Sequence, residues 1–246
     1  MNRHSETMNF GIIAAGEGSR LVQEGISLPK PLVNINGRPM IGRLMEIFDG
    51  LGADCISVIV NSHMTEVAEY VRNMGPALNA ALELVVKTTP SSMHSFYELG
   101  ALLRDHGRFV LTTVDTIFRE ADFRRYVDAF SSAPDDIDGM MAVTRHIDDE
   151  KPLYVETDGQ MHIKAFRDEA WPEAEYISGG IYGLDSSAID VLDECLDRGV
   201  SRMRNFQRAL VSARLNLRAF DMGDILDVDH ADDITKAARF IGEGSV

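Results

Sequence analysis

The sequence predicts an α/β protein with a Rossmann-like, three-layer, mostly parallel sheet, helices on both faces and a smaller antiparallel insertion in its second half. Three observations lead there. Short apolar runs alternate with segments of helical periodicity through the first half. The early strands are continuously apolar rather than alternating, as strands covered on both faces are. The second half carries strand–turn–strand patterns instead, with "TDGQ" as a turn signal.

Residues 10–15 form the first strand, which runs into the glycine-containing stretch "GEGSRL". Residues 38–51 are apolar at helical spacing, and Gly52 closes them. A strand at 55–61, a helix at 64–74 and a strand at 82–86 follow. The helix at 95–104 has Ser91 or Ser92 near its entrance, and the strand at 109–114 ends in Asp115. Residues 122–130 are again helical. Strands are then expected at 139–144, 154–157, 162–166 and 181–184, and helices at 186–197 and 201–213. A strand at 217–222 and a helix at 232–241 complete the chain.

Composition narrows the function classes. At 246 residues, 45% hydrophobic and 26% charged, the chain is an ordinary globular one, and no apolar run reaches membrane-spanning length. The start, "MNRHSETMNF", lacks the apolar core of a signal peptide, so the expected address is cytoplasmic. Residues 1–8 read as a tail, with Met8 an alternative start, and residues 9–246 as one domain. Cys55 and Cys195 match no metal or disulfide framework and read as reduced, buried thiols. A net charge of −15 and the lack of a basic tract argue against a nucleic-acid partner. A phosphorylated small molecule would need local arginines and lysines, or a cation bridging carboxylates to phosphate.

Ligands of a parallel sheet bind beyond the carboxyl ends of its strands, where Gly16, Gly18 and Asp115 lie. Glycine-loop amides can cradle phosphate oxygens, and Arg20 adds a planar fork suited to them. The loop has no Walker A ending, and Leu21 stands where a dinucleotide fingerprint needs its third glycine. Lys30 lies between Pro29 and Pro31, which stiffen the backbone on both sides. Taken alone, a tight strand-to-helix turn and a solvated lysine explain both features.

"AAGEGSRL" followed by "PKPL" resembles the signature of the nucleotidyltransferases that make nucleoside-diphosphate sugars and related activated alcohols, A-A-G-x-G-[ST]-R-[LM] and then P-K. The sugar-1-phosphate nucleotidylyltransferases and phosphocholine-cytidylyltransferase-like enzymes are of this kind. The likeness extends through "NINGRPMIGRLMEIFDGLGADCISVIVN" and "TTVDTIF" to "LDVDHADDI". It implies a nucleotide wrapped by the loop from Ala14 to Arg20, with Ala14, Ala15, Gly16, Gly18, Ser19 and Arg20 as its binding residues and Lys30 stabilising charge at the α-phosphate. It implies Arg20, Lys30 and Asp115 as the catalytic set. Asp115 would hold Mg²⁺, with Asp227 or Asp229 as a second ligand and the pair favoured as a joint site; Asp229 could also cap the following helix.

The stretch from Ser91 to Ser95 falls where relatives contact the base, with Ser91 and Ser95 as the binding residues, although the usual glycine-rich version of that segment is missing. His94 reads as a pocket residue or a surface histidine. Gly179 and Gly180 in "YISGGIYGL" fall where relatives shape the acceptor pocket, and a β-turn explains them as well. The lysine–proline pair of relatives is absent just before it; Lys164 or Arg167 takes its place or lies at the surface.

The resemblance implies transfer of a nucleoside monophosphate from an NTP to a phosphorylated sugar, polyol or choline-like alcohol, with release of pyrophosphate. Residues 9–118 would be the nucleotide-binding half and 119–246 the acceptor-binding half. The short chain leans to CTP. The acceptor stays open, a molybdopterin-type one included, as does assembly into a homo-oligomer. A GT-A-like glycosyltransferase is disfavoured, since "TTVDTIF" has no D-x-D pair. A nonenzymatic nucleotide-sensing domain would not need Arg20, Lys30, Asp115 and the Asp227/Asp229 pair together.

Overall fold

The computed structural model describes residues 8–147 and 151–242. Its first half runs β1 (Asn9–Ala14), α1 (Ser19–Gln23), β2 (Asn34–Ile35), β3 (Arg38–Pro39), α2 (Met40–Gly50), β4 (Cys55–Val60), α3 (Thr65–Met74), β5 (Ala81–Val86), α4 (Ser92–Leu103), β6 (Phe109–Thr113), β7 (Thr116–Ile117) and α5 (Glu120–Ser131). The second half runs β8 (Gly139–Thr144), β9 (Tyr154–Thr157), β10 (Ile163–Arg167), β11 (Tyr176–Leu184), α6 (Ser186–Asp197), α7 (Met203–Ser212), β12 (Leu217–Asp221), β13 (Leu226–Asp227) and α8 (Ala231–Gly242). Among the described residues, no helix is long and apolar enough to cross a membrane.

A nine-stranded sheet runs β10-β9-β11-β6-β1-β4-β5, with β8 joined to β11 and β12 to β8. Strands β6, β1, β4 and β5 are mutually parallel. Strand β11 runs antiparallel to β6, so the expected antiparallel portion extends the same sheet. Side-chain alternation divides β1 between two cores. Phe10, Ile12 and Ala14 pack with α2, α3, α5 and α8, while Ile13 packs with α4, α6 and α7. Every residue of β1 is buried, which is why it reads as an unbroken apolar run. Met8, assigned to the tail from sequence, is 7% exposed and belongs to the first core; residues 1–7 lie outside the described residues.

Two elements differ from expectation. Arg38 and Pro39 close a two-residue hairpin with Asn34 and Ile35, so the helix begins at Met40. Asn36 (φ 51°) and Gly37 (φ 84°) supply the two left-handed residues that such a turn requires. The strand expected at 181–184 starts at Tyr176 and passes through Gly179 and Gly180, with its register slipping between Ser178 and Tyr182. Gly180 sits at φ 72°, where a bulge tolerates glycine best. The bulge replaces the turn.

Candidate active site

The site is built at the carboxyl edge of the parallel strands. Beyond β1 the chain turns through Ala15–Gly18 into α1, and Gly18 is left-handed at φ 62°. A Cβ on Gly18 would lie 2.7 Å from the Cβ of Lys30. A Cβ on Gly16 would meet nothing within 4 Å. Gly18 therefore lets the loop lie on Lys30, whereas Gly16 borders open space. Gly18→Ala is expected to cost about 1–2 kcal/mol from backbone strain alone, and more once Lys30 is displaced. Thermal melts and nucleotide titrations should show both stability and affinity falling, with Gly16→Ala melting like the parent. A parent-like melt for Gly18→Ala would refute this packing.

Lys30 opens a 3₁₀ turn, Lys30–Leu32, flanked by Pro29 and carrying Pro31. It is 9% exposed. Its Nζ donates to Asp115 Oδ2 at 2.6 Å and to Asp229 Oδ1 at 2.8 Å. Arg20 Nη1 donates to the other oxygen of Asp229 at 2.8 Å. A buried ammonium is tolerable only with such partners. Burial works against the charge of Lys30, but Asp115 and Asp229 outweigh it and raise its pKa. Burial likewise opposes ionisation of Asp115; the Lys30 ammonium and the Thr113 hydroxyl outweigh it and hold the carboxyl below the usual range. Both groups stay charged.

A small clasp brings these residues together. Strands β7 and β13 pair antiparallel, with Asp227 opposite Thr116, and Val228 N–H donates to the Asp115 carbonyl at 3.1 Å. Just beyond, Asp233 Oδ2 accepts from the N–H groups of Asp229 and His230. Glu24 accepts from Ala231 N–H at 2.6 Å and meets His230 Nδ1 at 2.6 Å. The hydrogen bond from Ala231 and the one from His230 hold the Glu24 carboxyl below its usual range. Asp233 and Glu24 thus serve the start of α8. The Asp229 carboxylate is turned to Lys30 and Arg20 instead of capping that helix.

A cleft of about 730 Å³ opens over this cluster. Ala15, Gly16, Gly18, Ser19, Arg20, Lys30, Ser91, Ser95, Asp115 and Asp229 line it, so most of the expected residues are gathered there. Ala14 is buried within β1 and does not line it. Glu17 and Ser92, within the two expected stretches, also line the cleft, as do Thr89, Pro90 and Thr113, which were not anticipated. "TTPSS" directly follows a strand at its carboxyl end, and that position was the available signal. Ser91 caps α4 and contacts His94 Nδ1 at 2.8 Å, while Thr89 and Ser95 share a 2.6 Å hydroxyl contact. His94 is not part of the wall.

A second cleft of about 230 Å³ shares Arg20 and Asp229 with the first. Thr144, His146, Ser178, Gly179, Asp227, Asp233 and Lys236 also line it. Gly179 lets Ile225 approach, since a Cβ there would lie 2.3 Å from Ile225 Cδ1. At Gly180 a Cβ would lie 2.9 Å from the Thr116 hydroxyl, so that glycine seats the clasp. Lys164 and Arg167 line neither cleft. They pair with Asp158 and Glu156 on the β9–β10 ribbon, and Arg167 also lies over Trp171.

The arrangement suits two anions meeting at Arg20. Among the described residues no group of three or more His, Cys, Asp or Glu side chains is gathered as a metal site. Asp115 and Asp229 nevertheless converge on one cation, the Lys30 ammonium, and are hard oxygen donors. That pair fits Mg²⁺, which one or two carboxylates hold while phosphate oxygens complete its shell.

An open α/β sheet with a cleft at its carboxyl edge is the class of protein that binds ligands beyond its strand ends. The chain belongs to the nucleotidyl transferase family, whose sequence model matches residues 11–244. It is 27% identical over 233 residues to mannose-1-phosphate guanyltransferase of Schizosaccharomyces pombe, covering 90% of this chain and 61% of that protein. It is 35% identical over 75 residues to 2-aminoethylphosphonate cytidylyltransferase of Lancefieldella rimae, 30% of each. The matches thus span less than two thirds of these relatives. The inositol-1-phosphate CTP transferase of T. maritima shares the fold, with a TM-score of 0.78, 16% identity and 98% of both chains covered.

Proposed function

We propose that the chain transfers a nucleoside monophosphate from an NTP to a phosphorylated small-molecule acceptor and releases pyrophosphate. The observation that carries this reading is Arg20. It lines both clefts and joins the Lys30–Asp115–Asp229 cluster through Asp229. The larger cleft takes the NTP, largely with residues of the half at 9–118. The smaller takes the acceptor, largely with residues of the half at 119–246. An acceptor phosphate oxygen attacks the α-phosphorus, the new P–O bond forms, and the bond to the departing pyrophosphate breaks. The phosphate monoester is already nucleophilic near neutral pH, so positioning and charge neutralisation suffice. Loop amides and Arg20 orient the triphosphate, and Lys30 meets the charge that develops at the α-phosphate. Asp115 and Asp229 would hold Mg²⁺, which when bound offsets phosphate charge.

The hydroxyls of Thr89, Ser91, Ser92 and Ser95 form the wall offered to the base. We favour CTP, which the cytidylyltransferase relatives support. The smaller cleft offers Thr144, Ser178 and Asp227 to acceptor hydroxyl or amine groups. A cytoplasmic location supplies nucleoside triphosphates and agrees with two free, buried cysteines. Pyrophosphate release should be screened with four NTPs against sugar, inositol, choline and aminoethyl phosphates or phosphonates. Acceptor-dependent release, greatest with CTP, is expected. Its absence across the panel, or sugar transfer from a nucleotide sugar instead, would overturn the reading.

A further inference from the structure

A third cleft, of about 770 Å³, shares no lining residue with the two above. It lies among the β2–β3 hairpin, α2, the start of α5 and the end of α8. Arg38, Arg43, Arg119, Arg124 and Arg125 line it, with Glu120 the one acidic residue of the wall. The whole chain carries only 24 basic residues against 39 acidic ones, so five guanidiniums around one hollow are a strong local departure.

Four of the five have a carboxylate within 4.0 Å. Arg38 pairs with Glu46 at 2.9 Å, Arg124 with Glu120 at 3.6 Å and Arg125 with Asp122 at 2.7 Å. Arg119 lies over the Phe240 ring and 4.0 Å from Asp224. Arg43 differs. It is 7% exposed on the packed face of α2, where it lies over the Phe118 ring and its Nη2 donates to the Phe118 carbonyl, while its Nη1 has no hydrogen-bond partner. Among the described residues no carboxylate pairs with it. Burial, aided by Arg38 and opposed by Glu120, brings its pKa down to about 10. Buried arginines are rare unless paired, and leaving one charge uncompensated is strongly unfavourable.

Helix α5 begins at the same hollow. Its N-cap is Arg119, which makes no side-chain capping bond, and Arg119, Glu120 and Ala121 line the cleft. Free N–H groups and the positive end of a twelve-residue helix favour an anion there. Ile35 and Ile47 supply an apolar wall.

We propose that this third cleft binds a phosphorylated small molecule, whose phosphate is the missing counter-ion of Arg43 and sits at the N-terminus of α5 beside Arg119 and Arg124. The rest of the ligand packs on Ile35 and Ile47. The concave shape and the net charge of −15 favour a small anion over a nucleic acid. The site stands apart from the transfer reading, because it uses none of the residues on which that reading rests.

Equilibrium dialysis of the full chain tests it, with pyrophosphate and a nucleoside monophosphate as probes. Arg20→Ala serves as background, to weaken phosphate binding at the first two clefts, both of which Arg20 lines. At least one probe should bind that background and lose about tenfold or more in affinity when Arg119→Ala and Arg124→Ala are added, since each charged contact to phosphate is worth about that factor. Arg43→Met should lose the same binding yet melt no lower than the parent, because an apolar side chain replaces a buried charge that has no carboxylate partner. Unchanged binding in the double-arginine variant, or no binding of either probe at millimolar concentration, overturns the proposal. So does an Arg43→Met protein that melts lower and binds normally, which would make Arg43 a strut to Phe118.

Discussion

Lys30→Ala is expected to lower kcat about a hundred- to a thousandfold, with a much smaller change in the KM for NTP. Lys30 is set in place before substrate arrives. Two prolines stiffen its turn, Gly18 packs on its Cβ, and two carboxylates orient its Nζ. Such preorganisation matters most when charge shifts during attack, whereas Arg20 and the loop amides still hold the ground-state triphosphate. Removing one member of a part-buried pair also leaves Asp115 and Asp229 without their shared cation, so kinetics must be normalised to folded protein. Lys30→Arg should recover little, because a planar fork does not fit a seat made for an ammonium. Near-parent kcat in Lys30→Ala would remove the catalytic role from this residue.

Asp115→Asn should be equally severe, about a hundredfold or more in turnover, while leaving the fold intact because the amide keeps the size of the carboxyl. Lys30 loses its nearest counter-charge, and the carboxylate pair suited to a divalent ion becomes a single carboxylate. Raising Mg²⁺ should restore only part of the rate. Asp229→Asn should shift the Mg²⁺ concentration needed for half-maximal rate more than Asp227→Asn does, since Asp229 faces Lys30 while Asp227 faces the second cleft. If Asp115→Asn keeps both the parent rate and the parent Mg²⁺ dependence, Asp115 is not part of the machinery.

Local pattern revealed the strands, the long helices and the glycine loop, because burial on both faces and 3.6-residue spacing are written in consecutive residues. It also marked Lys30 and Asp115, which lie beside recognisable punctuation, a proline pair and a strand end. The β7–β13 clasp left no such trace, since two-residue strands have no period. The hairpin before α2 did carry a signal, Asn36-Gly37, but the helical spacing of the residues after it drew the helix start too early. That Asp229 meets Lys30 while Asp227 pairs opposite Thr116 follows from the clasp, which no local pattern announces. Lys164 and Arg167 fell to a tertiary fact: their strand pairs at the edge of the sheet, where nearby acids claim both charges.

The contacts of the Lys30 cluster bridge 85, 199 and 209 residues along the chain. Closing loops of that length costs entropy that no local element repays, so the cluster forms only after both layers around the sheet are assembled. During synthesis Lys30 and Asp115 leave the ribosome well before Asp229 does. A nascent chain can therefore hold its first strands and helices and still present Lys30 and Asp115 without their third partner. Competence for the proposed chemistry then waits on Asp229 reaching its two partners, and mutations that loosen α8 should extinguish activity before they unfold the sheet.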